Sequence, residues 1–305
     1  MGRSRAVAYN APLESVGSGA RLSRIAYVNG RYAPFASAGV HIEDRGYQFG
    51  DGVYEVCEIR EGALIDETRH LARLQRSLDE LRIAAPMRNP ALKLIMRELV
   101  ARNRVRDGLL YIQVTRGVAR RDHAFPKAAK PALVMTARSL DRRPAQANAA
   151  SGVKVITLPD ERWARPDIKS LQLLPNVMAK QAAREAGAFE AWLIDAKGFV
   201  TEGASTNAWI VNAQGIIVTR QADNAILRGV TRTTLLEMAA SQGLAFEERA
   251  FPLEEAFGAR EAFLTSATNV AIPVVAIDGR VIGDGKPGPV AKELRARFHE
   301  TAEVS

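Results

Sequence analysis

The sequence predicts an α+β protein of two domains, on three observations. Strand-like and helical segments are mixed without the regular strand-helix-strand order of a doubly wound sheet. The chain has 305 residues and is 47% hydrophobic, enough to bury two cores rather than one. Residues 139–151, "SLDRRPAQANAAS", lose all periodicity and read as an interdomain linker between a smaller domain at 25–138 and a larger one at 152–305.

Residues 1–24 are small and polar, rich in Arg and without apolar period, and are expected to form a flexible extension. Order begins at Ile25. "IAYVNGRYAPF" sets Asn29-Gly30 between two strand-like runs, the pair that a tight hairpin turn prefers. "DRGYQFGDGVYE", residues 44–55, reads as a turn feeding a strand, its glycines allowing positive φ or close backbone approach. In that strand, alternation puts Tyr54, Val56 and Glu58 on one face and Val53, Glu55, Cys57 and Ile59 on the other. "REG" then turns the chain into "ALID". From Glu67 the period becomes helical, with Leu71, Leu74, Leu78 and Leu81 on one stripe and His70 and Arg73 as neighbours on its surface. A second helix follows at "NPALKLIMRELVARNRV", with Pro90 in its first turn, then strands at 108–116 and 132–138. The second half reads as a strand at 153–157, a helix at 174–188, strands in "EAWLID", "FVTEG", "TNAWIVN" and "IIVTR", helices at 230–242 and 288–300, and a strand at 261–265.

Composition excludes several functions. The single cysteine, Cys57, forbids an internal disulfide and suits a reducing compartment, and four scattered histidines give no zinc spacing. No apolar run is long enough to span a membrane and no secretory segment opens the chain, so a cytoplasmic protein is expected. The net charge of +8 invites a basic nucleic-acid-binding reading, but the basic clusters are short and aromatics are only 6%, too few for a stacking platform. Nucleotide fingerprints and the hydrolase elbow are absent.

Chemistry gathers elsewhere. Lys169 in "DIKSLQLLPN" adjoins a mostly apolar run, where a lysine loses its proton readily and attacks carbonyls. Such a lysine serving pyridoxal phosphate needs an acid for the pyridine nitrogen and a cradle for the phosphate. Glu202 in "VTEGASTN" and the helix start "LRGVTR", with Val230 and Thr231, offer both, and "TSAT" at 265–268 adds hydroxyls. Arg73 has a fork matched to phosphate oxygens. Taken singly, each also has a plain reading: Lys169 a solvated lysine, Glu202 a turn acid, Thr231 a helix cap, Arg73 a surface charge.

Together these segments resemble the fold-type IV pyridoxal-phosphate enzymes, and within them the D-amino-acid aminotransferases. "DRGYQFGDGVYE", "HLARL", "TRGVARRDHAFP", "DIKSLQLLPN", "VTEGASTN" and "GVTR" occur in that family's order, over residues 25–285. The resemblance implies the two-domain fold of that family, a homodimer, and a site at the domain interface holding pyridoxal 5′-phosphate. It implies Lys169 as the cofactor-bearing lysine and Glu202 as partner of the pyridine nitrogen. The phosphate would be held by Arg73, the Val230 and Thr231 backbone, Ser266 and Thr268. Tyr54, Arg121 and His123 match the trap for the substrate carboxylate. The implied reaction moves the amino group of a D-amino acid to a 2-oxo acid by a ping-pong route. Aminodeoxychorismate lyases and branched-chain aminotransferases share the fold, the latter usually with "EGTGMN" where this chain has "EGASTN". Residues 204 and 267 are alanine where relatives richer in hydroxyls have serine or threonine.

Overall fold

A computed structural model describes residues 24–305; the extension expected at 1–24 lies almost wholly outside them. The first part of the chain runs β1 (Ile25–Val28), β2 (Arg31–Pro34), α1 (Arg45–Phe49), β3 (Gly52–Arg60), β4 (Ala63–Leu64), α2 (Glu67–Glu80), α3 (Asn89–Arg102), β5 (Gly108–Thr115), β6 (Ala132–Ser139) and α4 (Arg143–Ser151). The second runs β7 (Val153–Pro159), α5 (Leu174–Glu185), β8 (Glu190–Ile194), β9 (Phe199–Gly203), β10 (Asn207–Val211), β11 (Ile217–Thr219), α6 (Val230–Ser241), β12 (Phe246–Glu248), β13 (Phe251–Pro252), α7 (Leu253–Phe257), β14 (Glu261–Ser266), β15 (Asn269–Ile277), β16 (Arg280–Val281) and α8 (Pro289–Thr301).

The strands form two sheets. The first has the order β2-β1-β6-β5-β3-β4 and is antiparallel throughout. The leucine stripe of α2 (Leu71, Leu74, Leu78) and Leu92, Met96 and Leu99 of α3 close one face over Val53, Cys57, Ile59, Leu110 and Ile112. The second sheet has the order β12-β11-β10-β14-β15-β7-β8-β9-β13, with β16 pairing β15. It is mixed, with parallel pairs at β15-β7, β7-β8 and β11-β12. Trp209 and Phe263 stack on its inner face with rings 5.4 Å apart and pack under Leu235 and Met238 of α6 and Leu294 and Phe298 of α8.

Two expectations are corrected and one strand is added. The turn at 44–50 is a one-turn helix, α1, capped by the Asp44 carboxylate on the Gly46 N–H at 2.8 Å and ended by Gly50 at φ 66. The stretch read as an aperiodic linker contains α4 over nine residues, with Pro144 in its first turn. The strand β15, not expected, carries Pro273 at its centre, and β7 joins it only from Val274 onward. The chain also returns at its end, where Ser305 exchanges backbone hydrogen bonds with Leu64 at 2.9 and 3.0 Å. Among the described residues, no helix is long and apolar enough to cross a membrane and no His, Cys, Asp and Glu group is arranged to hold a metal.

Candidate active site

The edge of β3 left free by the two-residue β4 is filled by the segment that carries Lys169. Ser170 bridges Val53, the Tyr54 N–H donates to the Lys169 carbonyl at 3.0 Å, and the Leu171 N–H donates to Gly52 at 3.0 Å. A residue with a Cβ at position 52 would meet the Val114 carbonyl at 2.6 Å, so a glycine is required where three backbones converge. The pairing brings Lys169 Nζ to 4.2 Å from the centre of the Tyr54 ring. Both face a cavity of about 430 Å³ between the two sheets, a volume suited to a small ligand.

Of the residues singled out from the sequence, Tyr54, Arg73, Lys169, Glu202, Val230, Thr231, Ser266 and Thr268 all line this cavity. Ala204 and Ala267 line it too. Arg121 and His123 do not. They sit exposed on the loop between β5 and β6, Arg121 4.6 Å over the Phe49 ring and His123 with its ring 5.5 Å from the same phenyl. That loop is tied down by Arg45, which donates to the Asp122 carbonyl at 2.6 Å while its Nε holds Asp51 at 2.7 Å. The stretch 44–55 therefore braces this loop through α1 and lines the cavity through β3.

Glu202, on β9, is buried. It accepts from Asn207 Nδ2 at 2.9 Å, from the Leu227 N–H at 3.1 and 3.2 Å, and from Arg162, whose other edge is held by Asp160 at 2.7 and 2.8 Å. Burial pushes its carboxyl above the ordinary range, against the pull of Arg162 and the Leu227 N–H. Opposite, α6 opens at Gly229, and its first N–H groups and positive dipole end point at the cavity, with Thr231, Ser266 and Thr268 adding hydroxyls nearby. Arg73 lies at this end. Its Nε and Nη2 grip Glu55 at 2.7 and 2.8 Å, and its Nη1 donates to the Arg228 carbonyl at 3.0 Å.

Sequence reasoning gave no role to Asn207, Arg162, Glu55 or His70. Arg162 carries no local signal, since an arginine is solvated by default. Glu55 did carry one: an acid alternating into the otherwise apolar face of β3 must find a buried partner.

An amine, a buried acid and a helix N-terminus suited to an anion surround one cavity, an arrangement that fits carbonyl chemistry on a phosphorylated, nitrogen-containing ring. The comparisons give the class. The family model for class IV aminotransferases matches residues 52–277, and the chain belongs to that family. It is 45% identical to a D-alanine aminotransferase of Bacillus licheniformis, over 90% of this chain and 95% of that one. It is 39% identical to a D-alanine aminotransferase of Staphylococcus haemolyticus, over 91% and 97%. Among solved structures, an Escherichia coli branched-chain amino acid aminotransferase superposes with a TM-score of 0.86 at 20% identity, over 91% of this chain and 94% of that one, a likeness of fold. A branched-chain amino acid aminotransferase of T.th., solved with pyridoxamine 5′-phosphate, gives 0.83 at 25%, over 91% and 93%. The chain is an aminotransferase of fold type IV whose cofactor is pyridoxal 5′-phosphate, and the donor set of this cavity fits that group.

Proposed function

We propose that the chain moves the amino group of a D-amino acid such as D-alanine to a 2-oxo acid, as a homodimer. The observation that carries the reading is the cavity shared by Lys169, Glu202, Tyr54 and the α6 N-terminus, in a chain so similar to D-alanine aminotransferases. Lys169 would hold the cofactor through Nζ, Glu202 its ring nitrogen, and Arg73, the Val230 and Thr231 N–H groups, Ser266 and Thr268 its phosphate. Bound there, pyridoxal phosphate supplies an electron sink that acidifies the Cα–H of an amino acid. Lys169, once its amine is free, takes that proton and returns it on the same face. Glu202 would keep a proton at the ring nitrogen, and Arg162 and the Leu227 N–H favour the carboxylate form that this task needs. Tyr54, under the Lys169 amine, bounds the face on which substrate lies.

We assign the substrate carboxylate to Tyr54, Arg121 and His123, the last two supplied by a second copy. They are exposed and lie outside their own chain's cavity. The adjoining segments expose a run of apolar side chains: Ile42 and Tyr47 at 77% each, Phe125 at 48% and Val118 at 44%. A second copy would cover that patch and receive the two basic side chains. We also propose that the two sheets mark the two domains, at 25–138 and 152–305, and that the enzyme works in the cytoplasm, where its one thiol, Cys57, stays buried and reduced.

Subunit mixing tests the reading. Lys169→Ala and Arg121→Ala chains, each defective alone, should regain D-alanine turnover when their subunits are exchanged, since one site per hybrid dimer then has both native residues. Absence of recovery with proven hybrids would remove the shared trap.

A further inference from the structure

We infer that Glu55 is a positioning residue for the anion-binding end of the cavity, clamping the guanidinium of Arg73 with one edge turned to the loop that opens α6. The inference rests on the phosphate reading of that end given above. Glu55 is fully buried, on the face of β3 otherwise made of Val53, Cys57 and Ile59. An acid there is costly unless paired, and well-packed apolar residues would serve stability as well or better. It is fully engaged by Arg73 Nε and Nη2, at 2.7 and 2.8 Å, and by His70 Nδ1 at 2.7 Å. Burial pushes the carboxyl up, yet Arg73 and His70 outweigh this and hold it well below the usual carboxylate range. The acid therefore stays charged, and its two oxygens fix the plane of the Arg73 fork.

The consequence lies in what remains of Arg73. With Nε and Nη2 committed to the acid, Nη1 meets the Arg228 carbonyl at 3.0 Å, one residue before Gly229, the N-cap of α6. A long, flexible side chain is thus ordered before any anion arrives, so the cost of immobilising it falls on folding rather than on binding. His70, one turn earlier on α2 and also lining the cavity, is the third donor that keeps Glu55 from turning. Tyr54, the residue before Glu55, faces the cavity from the opposite side of the same strand, so two successive positions of β3 serve its two ends.

A rival role is that Glu55 only neutralises a buried cation. The two differ in sign. Without the acid's charge, Arg73 would be freer and more positive, and a mere counter-charge predicts phosphate binding as tight as before or tighter. A positioning role predicts weaker binding even when the charge is kept but withdrawn by one methylene.

The test titrates cofactor-free protein with pyridoxal 5′-phosphate and with unphosphorylated pyridoxal, and takes the ratio of the two dissociation constants. The ratio cancels changes at Lys169 and changes in overall stability. In Glu55→Asp and Glu55→Gln the preference for the phosphorylated form should fall roughly tenfold, with pyridoxal binding unchanged. Arg73→Lys, which keeps charge and loses the fork, should lose as much preference as Arg73→Ala; it carries the test should the Glu55 variants not fold. An unchanged or increased preference in Glu55→Asp, or preserved preference in Arg73→Lys, overturns the inference. If Arg73→Ala itself leaves the ratio unchanged, the phosphate reading fails and the inference with it.

Discussion

Replacing Gly229 by alanine tests whether the wall that holds Glu202 is locked. Gly229 has φ −62 and ψ 134, a conformation open to any residue, so the effect is steric. A Cβ there would lie 2.1 Å from Asn207 Oδ1 and 3.1 Å from Arg232 Cβ. Asn207 must turn away, and its Nδ2 then leaves Glu202 Oε2 at 2.9 Å and the Leu227 carbonyl at 3.0 Å. A hydrogen bond to a charged acceptor contributes about 1.5–3 kcal/mol and a neutral one about 0.5–1.5, so the change should cost about 2–4.5 kcal/mol. For a chain of this size that is a fall in Tm of roughly 3–7 °C. Thermal unfolding of the cofactor-free and cofactor-loaded protein, with kcat on D-alanine, reads both consequences. Gly39→Ala is the control, since nothing lies within 4 Å of a Cβ there. A Gly229→Ala protein that melts with the Gly39→Ala control and keeps its kcat would refute the claim that Asn207 holds Glu202 in place.

Three other outcomes follow from the site. Lys169→Ala should abolish turnover while leaving the Tm of cofactor-free protein nearly unchanged, because the Lys169 side chain is only partly buried and its segment is held by backbone hydrogen bonds. Glu202→Gln should lower kcat far more than cofactor affinity, measured by turnover against titration; loss of affinity alone would make Glu202 a structural residue. Tyr111, stacked 5.7 Å from Tyr54, is pushed up to about 12 from its ordinary value of 10.0, by burial first and then by Tyr54. The unfolded chain gives up this proton at lower pH than the folded one, so the stability it adds is present below pH 10 and is lost as pH rises towards 12. Urea midpoints followed from pH 9 upward should fall less steeply in Tyr111→Phe.

Some of this architecture is written locally in the sequence and some is not. The hairpins were legible because Asn29-Gly30 is the pair a tight hairpin turn prefers and Gly62 marks the second turn; both turns adopt left-handed backbone, at φ 46 and 94 and at φ 54 and 90. The α2 stripe was legible because one helical face meets one core. The helix α4 was not: it buries no residue, so its pattern has no face, and alanine propensity with Pro144 at its start makes the helix. β15 was hidden because Pro273 reads as a strand breaker, and only tertiary pairing shows that β7 joins beyond it. In the site, motif residues such as Lys169 and Thr231 could be chosen by local context. The packing of Lys169 against β3, the Glu55 clamp on Arg73 and the Asn207 contact with Glu202 depend on pairings across the fold, which periodicity does not encode. The distance of Arg121 and His123 from their own chain's cavity is of the same kind, a property of the folded surface.

Handedness tests the central claim most directly. In the proposed arrangement Lys169 would reach only one face of the cofactor, so the enantiomer whose Cα–H points at its amine would be decided by where the carboxylate is pinned. The measurement is the half-reaction of cofactor-loaded enzyme with D-alanine and with L-alanine, followed in a stopped-flow spectrometer by loss of the cofactor's yellow colour. The account predicts rapid conversion by D-alanine and much slower conversion by L-alanine. A charge-assisted hydrogen bond contributes roughly 1.5–3 kcal/mol, so Arg121→Ala should slow the D-alanine reaction by about one to two orders of magnitude. Faster conversion by L-alanine, or a D-alanine rate indifferent to Arg121→Ala, would contradict the D-amino-acid assignment and leave a class IV aminotransferase of other specificity.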